Sequence, residues 1–142
     1  MKNADSKEPD DATGEKPRGE LFIQAAAMPA DTNPNGDIFG GWLLSQMDIA
    51  GGIAARSHSG GRTVTIAIES MTFKKPVQVG DVVSCYADLE RVGRTSMTFL
   101  IEVWTLRRDS FVREKVTEGV FTYVAIGADG KPREIEQETI SV

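Results

Sequence analysis

One helical segment governs the architecture of this chain: Gly40 to Ala55, GGWLLSQMDIAGGIAA. Its side chains are apolar or small on nearly every face, so we expect a sheet to cover most of the helix. Small residues near its centre would let that sheet approach closely, namely Ala50, Gly51, Gly52, Ala54 and Ala55. The exception is Asp48, whose carboxylate is expected in the interior. Because buried carboxylates are costly unless paired or hydrogen-bonded, Asp48 is either a structural aspartate bonded to a nearby amide or a residue kept for chemistry.

The segments around the helix have the patterns of strands and turns. Leu21 to Met28 predicts a first strand, and turn-forming residues fill Ala30 to Asp37. Ser59-Gly60-Gly61 ends the helix, and Thr63 to Ser70 alternates as a half-buried strand that Met71 to Phe73 either extend or bend. Three longer strands follow: Val82 to Arg91, Ser96 to Arg108 and Val112 to Ile126. Their short links favour antiparallel pairing, so we predict an α+β fold with an antiparallel sheet wrapped around a long central helix.

The length of the chain indicates one domain. It has 142 residues, of which residues 20–133 form the expected folded part. Residues 1–19 hold many charges and few apolar side chains, so we predict a disordered N-terminal tail. The charged segment from Lys131 onward is expected to be peripheral, with residues 134–142 as a C-terminal tail.

Charge and residue counts argue against several kinds of function. A net charge of -5 argues against general binding to nucleic acid or anionic membranes. Apolar runs fall short of the ~18 residues that span a bilayer, and the N-terminus lacks an apolar signal core, so we expect a soluble, cytoplasmic protein without stable membrane insertion. The single cysteine, Cys85, is expected to pack in a strand, and the single histidine, His58, is expected in solvent just outside the helix. Neither suits a multi-residue metal site.

The helix carries two groups that suit acyl chemistry. Gly40 and Gly41 place backbone N–H groups at the positive end of the helix dipole, where they can hold a developing oxyanion or serve only close packing. Asp48 lies eight residues beyond Gly40, or ~12 Å along the axis, which is too far for both to act on one carbonyl carbon. Two such helices packed antiparallel in a dimer would bring the amides of one subunit to the carboxylate of the other.

Several motifs combine in one order along the chain. Met28 to Trp42 reads MPADTNPNGDIFGGW and is followed by Ser45-Gln46-Met47-Asp48. Further matching segments are Glu69 to Phe73, Lys75 to Val77, Val79 to Val83, Glu102 to Trp104 and Phe121 to Ala125. Together they closely resemble the hotdog-fold acyl-CoA thioesterases, in particular the bacterial YciA-type branch, over roughly Leu21 to Arg133. The resemblance implies a hotdog fold, a homodimer with one continuous sheet that is often part of a trimer of dimers, and hydrolysis of acyl-CoA to a free fatty acid and CoA without a metal or separate cofactor.

The resemblance also implies roles for individual residues. Asp48 matches the catalytic carboxylate of the family, and Gly40 with Gly41 matches the glycines that place amide donors at the helix start. Asp37 stands where two-domain relatives have a catalytic asparagine, so it either positions water or caps the helix N-terminus. Phe39, where many relatives have histidine, is typical of the YciA-type branch.

Coenzyme A binding is implied at a basic hairpin formed by Gly93, Arg94, Thr95 and Ser96. A guanidinium, two hydroxyl groups and accessible amides suit the phosphates of CoA, although such a hairpin can also be a plain solvated turn. Lys75 is a further predicted contact, with Lys74 and Arg62 as weaker candidates.

The sequence leaves several alternatives open. Asp48 either activates water as a general base or attacks the carbonyl carbon directly. A hotdog hydratase or dehydratase is an enzymatic rival, but such enzymes typically pair the acid with a histidine, and His58 is poorly placed for this. A non-catalytic acyl-CoA sensor is a rival of another class, since a fold does not fix function. Hexamer and tetramer both remain compatible with the sequence.

Overall fold

One helix lies against a sheet of five antiparallel strands. The computed structural model describes residues 14–136, and the predicted tail residues 1–13 and 137–142 lie outside that part. The elements are β1 Glu20–Ala26, α1 Gly40–Ser59, β2 Thr63–Phe73, β3 Val82–Val92, β4 Ser96–Leu106 and β5 Arg113–Ala125. Their order across the sheet is β1-β3-β4-β5-β2, so β1 and β2 form its edges. The predicted α+β architecture is confirmed.

The helix α1 continues past the predicted Ala55 because its stop signal comes later. Gly60 has a left-handed φ of 77°, and its N–H donates to the carbonyl oxygen of Arg56 at 2.8 Å. Glycine adopts this conformation without strain, so it ends the helix efficiently. His58 therefore lies in the last turn of α1, not outside it as predicted, and its side chain is exposed. Within residues 14–136, no helix is long and apolar enough to cross a membrane, and the cytoplasmic location stays a prediction.

The sheet covers one side of α1. The buried residues on that side are Leu43, Met47, Ala50, Gly51, Ala54 and Ala55. Gly51 marks the closest approach, because a Cβ there would lie 2.6 Å from Ile101 Cδ1. The other side is open in the single chain, where Ile49 is 49% and Ile53 is 44% exposed. The expectation that the sheet covers most of the helix is therefore wrong for one chain, since five strands curve around only part of its circumference.

The strand β2 both extends and bends, which are the two outcomes that the sequence left open. It continues to Phe73, with a register shift against β5 between Glu69 and Thr72. Ser70, inside that shift, has a φ of 55°. The end of β2 lies beside the start of α1, where the Phe73 ring is 3.6 Å from the position of a Cβ on Gly40.

The core includes one residue that the sequence placed at the periphery. Ile135 is buried, and its N–H donates to the carbonyl oxygen of Arg94 at 2.9 Å. The peripheral role predicted from Lys131 onward is wrong here, because an apolar side chain within the charged segment completes the core. Cys85 is buried in β3 as predicted, and burial raises the pKa of its thiol to about 12.

The chain before β1 also contacts the sheet. Arg18, within the predicted tail, has its guanidinium 2.7 Å from the carboxylate of Asp88 and 3.3 Å from that of Glu90. Its backbone N–H donates to Glu102 Oε1 at 3.2 Å. Ordered contacts therefore begin slightly before the predicted boundary at residue 20.

Candidate active site

Asp48 lies near the middle of α1, between the covered and the open sides of the helix. It is half-buried, not fully interior as the sequence predicted. Its Oδ1 accepts hydrogen bonds from Thr65 Oγ1 on β2 at 2.7 Å and from Tyr123 Oη on β5 at 3.0 Å. Among the residues that the structure describes, none donates to its Oδ2. One carboxylate oxygen is therefore fixed, and the other is available to a bound molecule.

Tyr123 is a core residue with a polar end at the site. It is 1% exposed, and its ring stacks on Phe121 and meets the edge of Phe99, with centroid distances of 6.4 and 6.1 Å. Its Oη also lies 3.1 Å from the backbone oxygen of Asp48. Burial, together with the charge of Asp48, raises the pKa of Tyr123, so its hydroxyl group remains a donor at neutral pH.

Sequence reasoning missed both partners of Asp48. Thr65 and Tyr123 are 17 and 75 residues away along the chain, and helical periodicity relates only residues of one element. The one available signal was their placement in strands expected to pack against the helix. This placement indicates which face of the sheet packs on the helix, but it does not indicate which strand residue contacts Asp48.

The start of α1 presents two open amides. Phe39 is the N-cap residue, with φ -58° and ψ 137°, and makes no side-chain cap bond. Its carbonyl oxygen accepts the N–H groups of Trp42 and Leu43 at 3.1 and 3.3 Å. The N–H groups of Gly40 and Gly41 donate to no acceptor in the described part of the chain, and both glycines are exposed. At the positive end of the helix dipole, such amides suit an oxyanion.

Asp37 closes a turn just before α1. Asn33 Oδ1 accepts the N–H groups of Asn35 at 2.9 Å and Asp37 at 3.1 Å, while Gly36 has a φ of 88°, as the predicted turn requires. The capping role considered for Asp37 is wrong, because the residue next to the first helical position is Phe39. Within residues 14–136, no hydrogen bond fixes the Asp37 carboxylate.

A cavity of about 360 Å³ opens at the start of α1. Asp37 and Gly40 line one wall, and Phe73, Lys74 and Lys75 at the end of β2 line another. The structure thus brings together three of the predicted site residues, Asp37, Gly40 and Lys75. The helix amides and the lysine ammonium groups favour an electron-rich oxygen in this cavity.

Lys75 is held by a network of ion pairs. Its Nζ lies 2.9 Å from Glu114 Oε1, and Arg107 Nε lies 2.6 Å from Glu114 Oε2. Hydrogen bonds from Lys75 and Arg107 lower the pKa of Glu114. Arg107 also pairs with the buried Asp81 at 2.9 Å. The cavity wall at Lys75 is therefore tied to the sheet through β5 and the end of β4.

The predicted phosphate-binding hairpin lies at the other end of the fold. Gly93–Ser96 connects β3 to β4, and Thr95 accepts the N–H of Ala125 at the end of β5. Arg94 is 75% exposed at its side chain and pairs with Glu134 at 2.9 Å. Because β2 runs from this end to the start of α1 over 11 residues, about 30 Å separates the hairpin from the helix-start amides of the same chain.

His58 is remote from the acid. It lies ten residues beyond Asp48, or ~15 Å along the helix. It lines a different cavity, of about 390 Å³, with Phe22, Ala54 and Phe99. Among residues 14–136, no group of three or more His, Cys, Asp and Glu side chains is placed to hold a metal ion.

The chain is similar in sequence to known thioesterases. Residues 35–111 match the model of the Thioesterase superfamily. The acyl-CoA thioester hydrolase YciA of Salmonella typhimurium is 56% identical over 120 residues, which cover 82% of this chain and 90% of that protein. The YciA protein of Escherichia coli is 53% identical over 125 residues, covering 86% of this chain and 95% of that protein.

Solved structures share its backbone arrangement. HI0827, described as a hexameric broad specificity acyl-coenzyme A thioesterase, superposes with a TM-score of 0.86 at 48% identity, over 91% of this chain and 89% of that one. The hexameric thioesterase of Yersinia pestis gives a TM-score of 0.83 at 54% identity, over 87% of this chain and all of that one (100%). The segment that matches the superfamily model contains Gly40, Asp48 and Thr65 and ends before Tyr123.

Proposed function

We propose that this chain, which belongs to the Thioesterase superfamily, cleaves acyl-CoA with the Asp48 carboxylate and the amides at the start of α1. It is a hotdog-fold acyl-CoA thioester hydrolase, whose products are a free fatty acid and CoA. One observation carries the assignment of Asp48: two hydroxyl groups fix its Oδ1, while Oδ2 accepts no hydrogen bond from residues 14–136.

Hydrolysis of a thioester needs a proton acceptor or nucleophile and donors for the carbonyl oxygen. In the first route, Asp48 takes a proton from water as the water oxygen attacks the carbonyl carbon. The amides of Gly40 and Gly41 hold the resulting oxyanion, the C–S bond breaks, and the CoA thiolate takes the proton. In the second route, the carboxylate itself attacks the carbonyl carbon, the C–S bond breaks and the CoA thiolate leaves; water then hydrolyses the mixed anhydride, which restores Asp48 and supplies the proton that the thiolate takes. Both routes require the same placement of groups.

A second copy of the chain completes this site in our proposal. Gly40 and Asp48 are ~12 Å apart along one helix, too far to meet at one carbonyl carbon. The open side of α1 exposes Ile49 and Ile53, and the edge strand β2 exposes Ile66 and Ile68. A partner packed there with its helix antiparallel would bring its amides to Asp48. Since HI0827 and the Yersinia pestis enzyme are hexameric, we propose a trimer of such dimers.

The remaining predicted residues are proposed to bind substrate. Asp37 and Lys75 line the cavity that contains the Gly40 amide, so Asp37 is proposed to position water and Lys75 to meet an oxygen of CoA. The Gly93–Ser96 hairpin is proposed to contact the CoA phosphates from another subunit. Arg94 suits this contact because both side chains of its ion pair with Glu134 are exposed to solvent, and exposed ion pairs are weak.

The hairpin assignment has a direct test. Arg94→Ala should raise KM for acyl-CoA about tenfold and leave KM unchanged for an N-acetylcysteamine thioester, which lacks the nucleotide. Equal effects on both substrates would reject the phosphate contact.

Thiol release from a panel of acyl-CoAs tests the central assignment. Asp48→Asn keeps the side-chain volume and should lower turnover about 10²–10⁴-fold while the melting temperature stays close to that of the wild type. The matched control is Asp109→Asn, an exposed aspartate between β4 and β5, which should keep wild-type turnover. Preserved turnover in Asp48→Asn would reject the role of this residue. A wild-type protein that binds acyl-CoA without releasing thiol would instead indicate a sensor.

A further inference from the structure

Tyr123 reaches across from β5 and contacts Asp48 at two oxygen atoms. Its Oη lies 3.0 Å from Oδ1 and 3.1 Å from the backbone oxygen of the same residue. A backbone oxygen inside a helix already accepts a helical hydrogen bond. We assign the single hydroxyl proton to Oδ1, since a charged carboxylate is the stronger acceptor.

The sequence of α1 leaves room for this hydroxyl group at Gly51. A Cβ on Gly51 would overlap Tyr123 Oη and lie 2.7 Å from Tyr123 Cζ. Positions 48 and 51 are neighbours on one face of the helix. A glycine in a helix interior costs about 1 kcal/mol relative to alanine, and here it opens the path from β5 to the carboxylate of Asp48.

Core packing accounts for the Tyr123 ring but not for its hydroxyl group. The ring packs against Phe99 and Phe121, and phenylalanine would fill the same space. A buried phenol needs a hydrogen-bond partner, and the nearest acceptors belong to Asp48. Thr65 donates to the same Oδ1 from β2, so donors from two strands hold one carboxylate oxygen.

We propose that Tyr123 is a positioning residue: its hydroxyl group holds Oδ1 of Asp48 against the sheet and thereby directs Oδ2 toward the reacting thioester or water. This inference rests on the proposed catalytic function of Asp48. Tyr123 acts through Asp48 and does not touch the substrate, because its side chain is buried between α1 and the sheet. Fixing the carboxylate lets the reaction occur without first ordering that side chain.

Tyr123→Phe removes the hydroxyl group and keeps the ring. We expect kcat for acyl-CoA to fall about 10–100-fold, as when an orienting partner is lost, while KM changes less than about twofold because the substrate contacts remain. The chain offers a matched control in its other tyrosine. Tyr86 is also buried, but its neighbours Cys85 and Ala87, not Tyr86 itself, face the core beneath α1. Tyr86→Phe should therefore keep the wild-type kcat.

The outcomes separate this inference from the proposed function. Equal kcat values for Tyr123→Phe and Tyr86→Phe, with Asp48→Asn inactive, would overturn the positioning role alone. An active Asp48→Asn would overturn the proposed function together with this inference. A rise in KM at constant kcat in Tyr123→Phe would also overturn the positioning role, since it would indicate contact with substrate. Thermal melting of each variant confirms that the folded state is retained.

Discussion

Thr65 makes the shorter of the two hydrogen bonds to Asp48, 2.7 Å from Oγ1 to Oδ1. A hydrogen bond from a hydroxyl group to a charged carboxylate is stronger than one between two neutral groups. Losing this bond should therefore free the Asp48 side chain to move. Thr65→Val keeps the shape and removes the donor, and we expect kcat to fall about tenfold with KM nearly constant. Thr65→Ser keeps the hydroxyl group and should stay near wild type in the same steady-state assay. Wild-type kcat in Thr65→Val, with a loss in Thr65→Ser, would mean that side-chain shape, and not the hydrogen bond, matters at this position.

Single residues could be predicted where one element contains the whole pattern. Asp48 is recognisable because it interrupts an apolar helix, and Gly40 because it starts that helix. The contacts of Thr65 and Tyr123 with Asp48 could not be predicted, because strand pairing and a bulge in β2 decide which strand side chains face the helix. Asp37 was considered as a cap because it precedes the helix closely, yet a side-chain cap acts from the residue next to the first helical position.

At the scale of elements, a row of ion pairs holds the segment between β2 and β3 in place. Lys75 and Arg107 both pair with Glu114, and Arg107 also pairs with Asp81. Lys75 has its side chain half exposed, while the other three are more enclosed. The segment forms one wall of the cavity beside the start of α1, so the same ion pairs that hold the loop also shape the site.

This network predicts a pH-dependent stability. The pKa of Glu114 lies below its ordinary value of about 4.3, because Lys75 and then Arg107 donate hydrogen bonds to its charged form. A carboxylate with a lowered folded-state pKa stabilises the fold above its unfolded pKa, and this contribution is lost as the pH falls through the folded value. Glu114→Gln should therefore lower Tm by about 2–4 °C at neutral pH and by progressively less below about pH 4.

Thermal melting of wild type and Glu114→Gln over a pH series measures this difference. The matched control is Glu136→Gln, at an exposed glutamate near the end of the described chain. Its Tm should differ from that of the wild type by no pH-dependent amount. If the Tm difference between wild type and Glu114→Gln stayed constant at acid pH, Glu114 would stabilise the fold through packing and not through its charge.

The existence of each element was predictable, but its ends were less so. Alternation of apolar residues marks β2, and the small, apolar composition marks α1, because burial imposes both patterns. The end of α1 depends on the left-handed backbone of Gly60, and two adjacent glycines left the last helical residue ambiguous. The burial of Ile135 depends on a backbone contact with Arg94, which no local pattern reveals.

At the scale of the whole molecule, one chain leaves an apolar surface uncovered. It consists of Ile49 and Ile53 on the open side of α1 and of Ile66 and Ile68 on the edge strand β2. An apolar edge strand is a ready site for pairing with another chain. The sequence predicted a dimer from the separation of two groups on one helix. It could not identify the surface, because exposure depends on how far the sheet curves around α1.

Gly40→Pro removes one helix-start amide with little change to the backbone. Gly40 is the first helical residue, where proline is favoured. Phe39 before it has φ -58° and ψ 137°, the extended conformation that proline requires of its predecessor. An added Cβ would make only ordinary contact with Phe73, at 3.6 Å. Alone, this variant should lose about 10²–10³-fold in turnover, as expected for one missing oxyanion donor.

Mixed assemblies of Gly40→Pro and Asp48→Asn subunits test whether the site spans two chains. In a mixed dimer, the intact amides of the Asp48→Asn subunit would face the intact carboxylate of its partner, giving one working site. Random pairing makes about half of the dimers mixed, so activity should recover to about a quarter of wild type. Asp48→Asn mixed with wild type should give about half under either arrangement, with or without exchange, so native mass spectrometry of differently tagged subunits must verify that mixed dimers have formed. No recovery in the first mixture, with mixed dimers present, would place both groups in one chain and reject the dimer site.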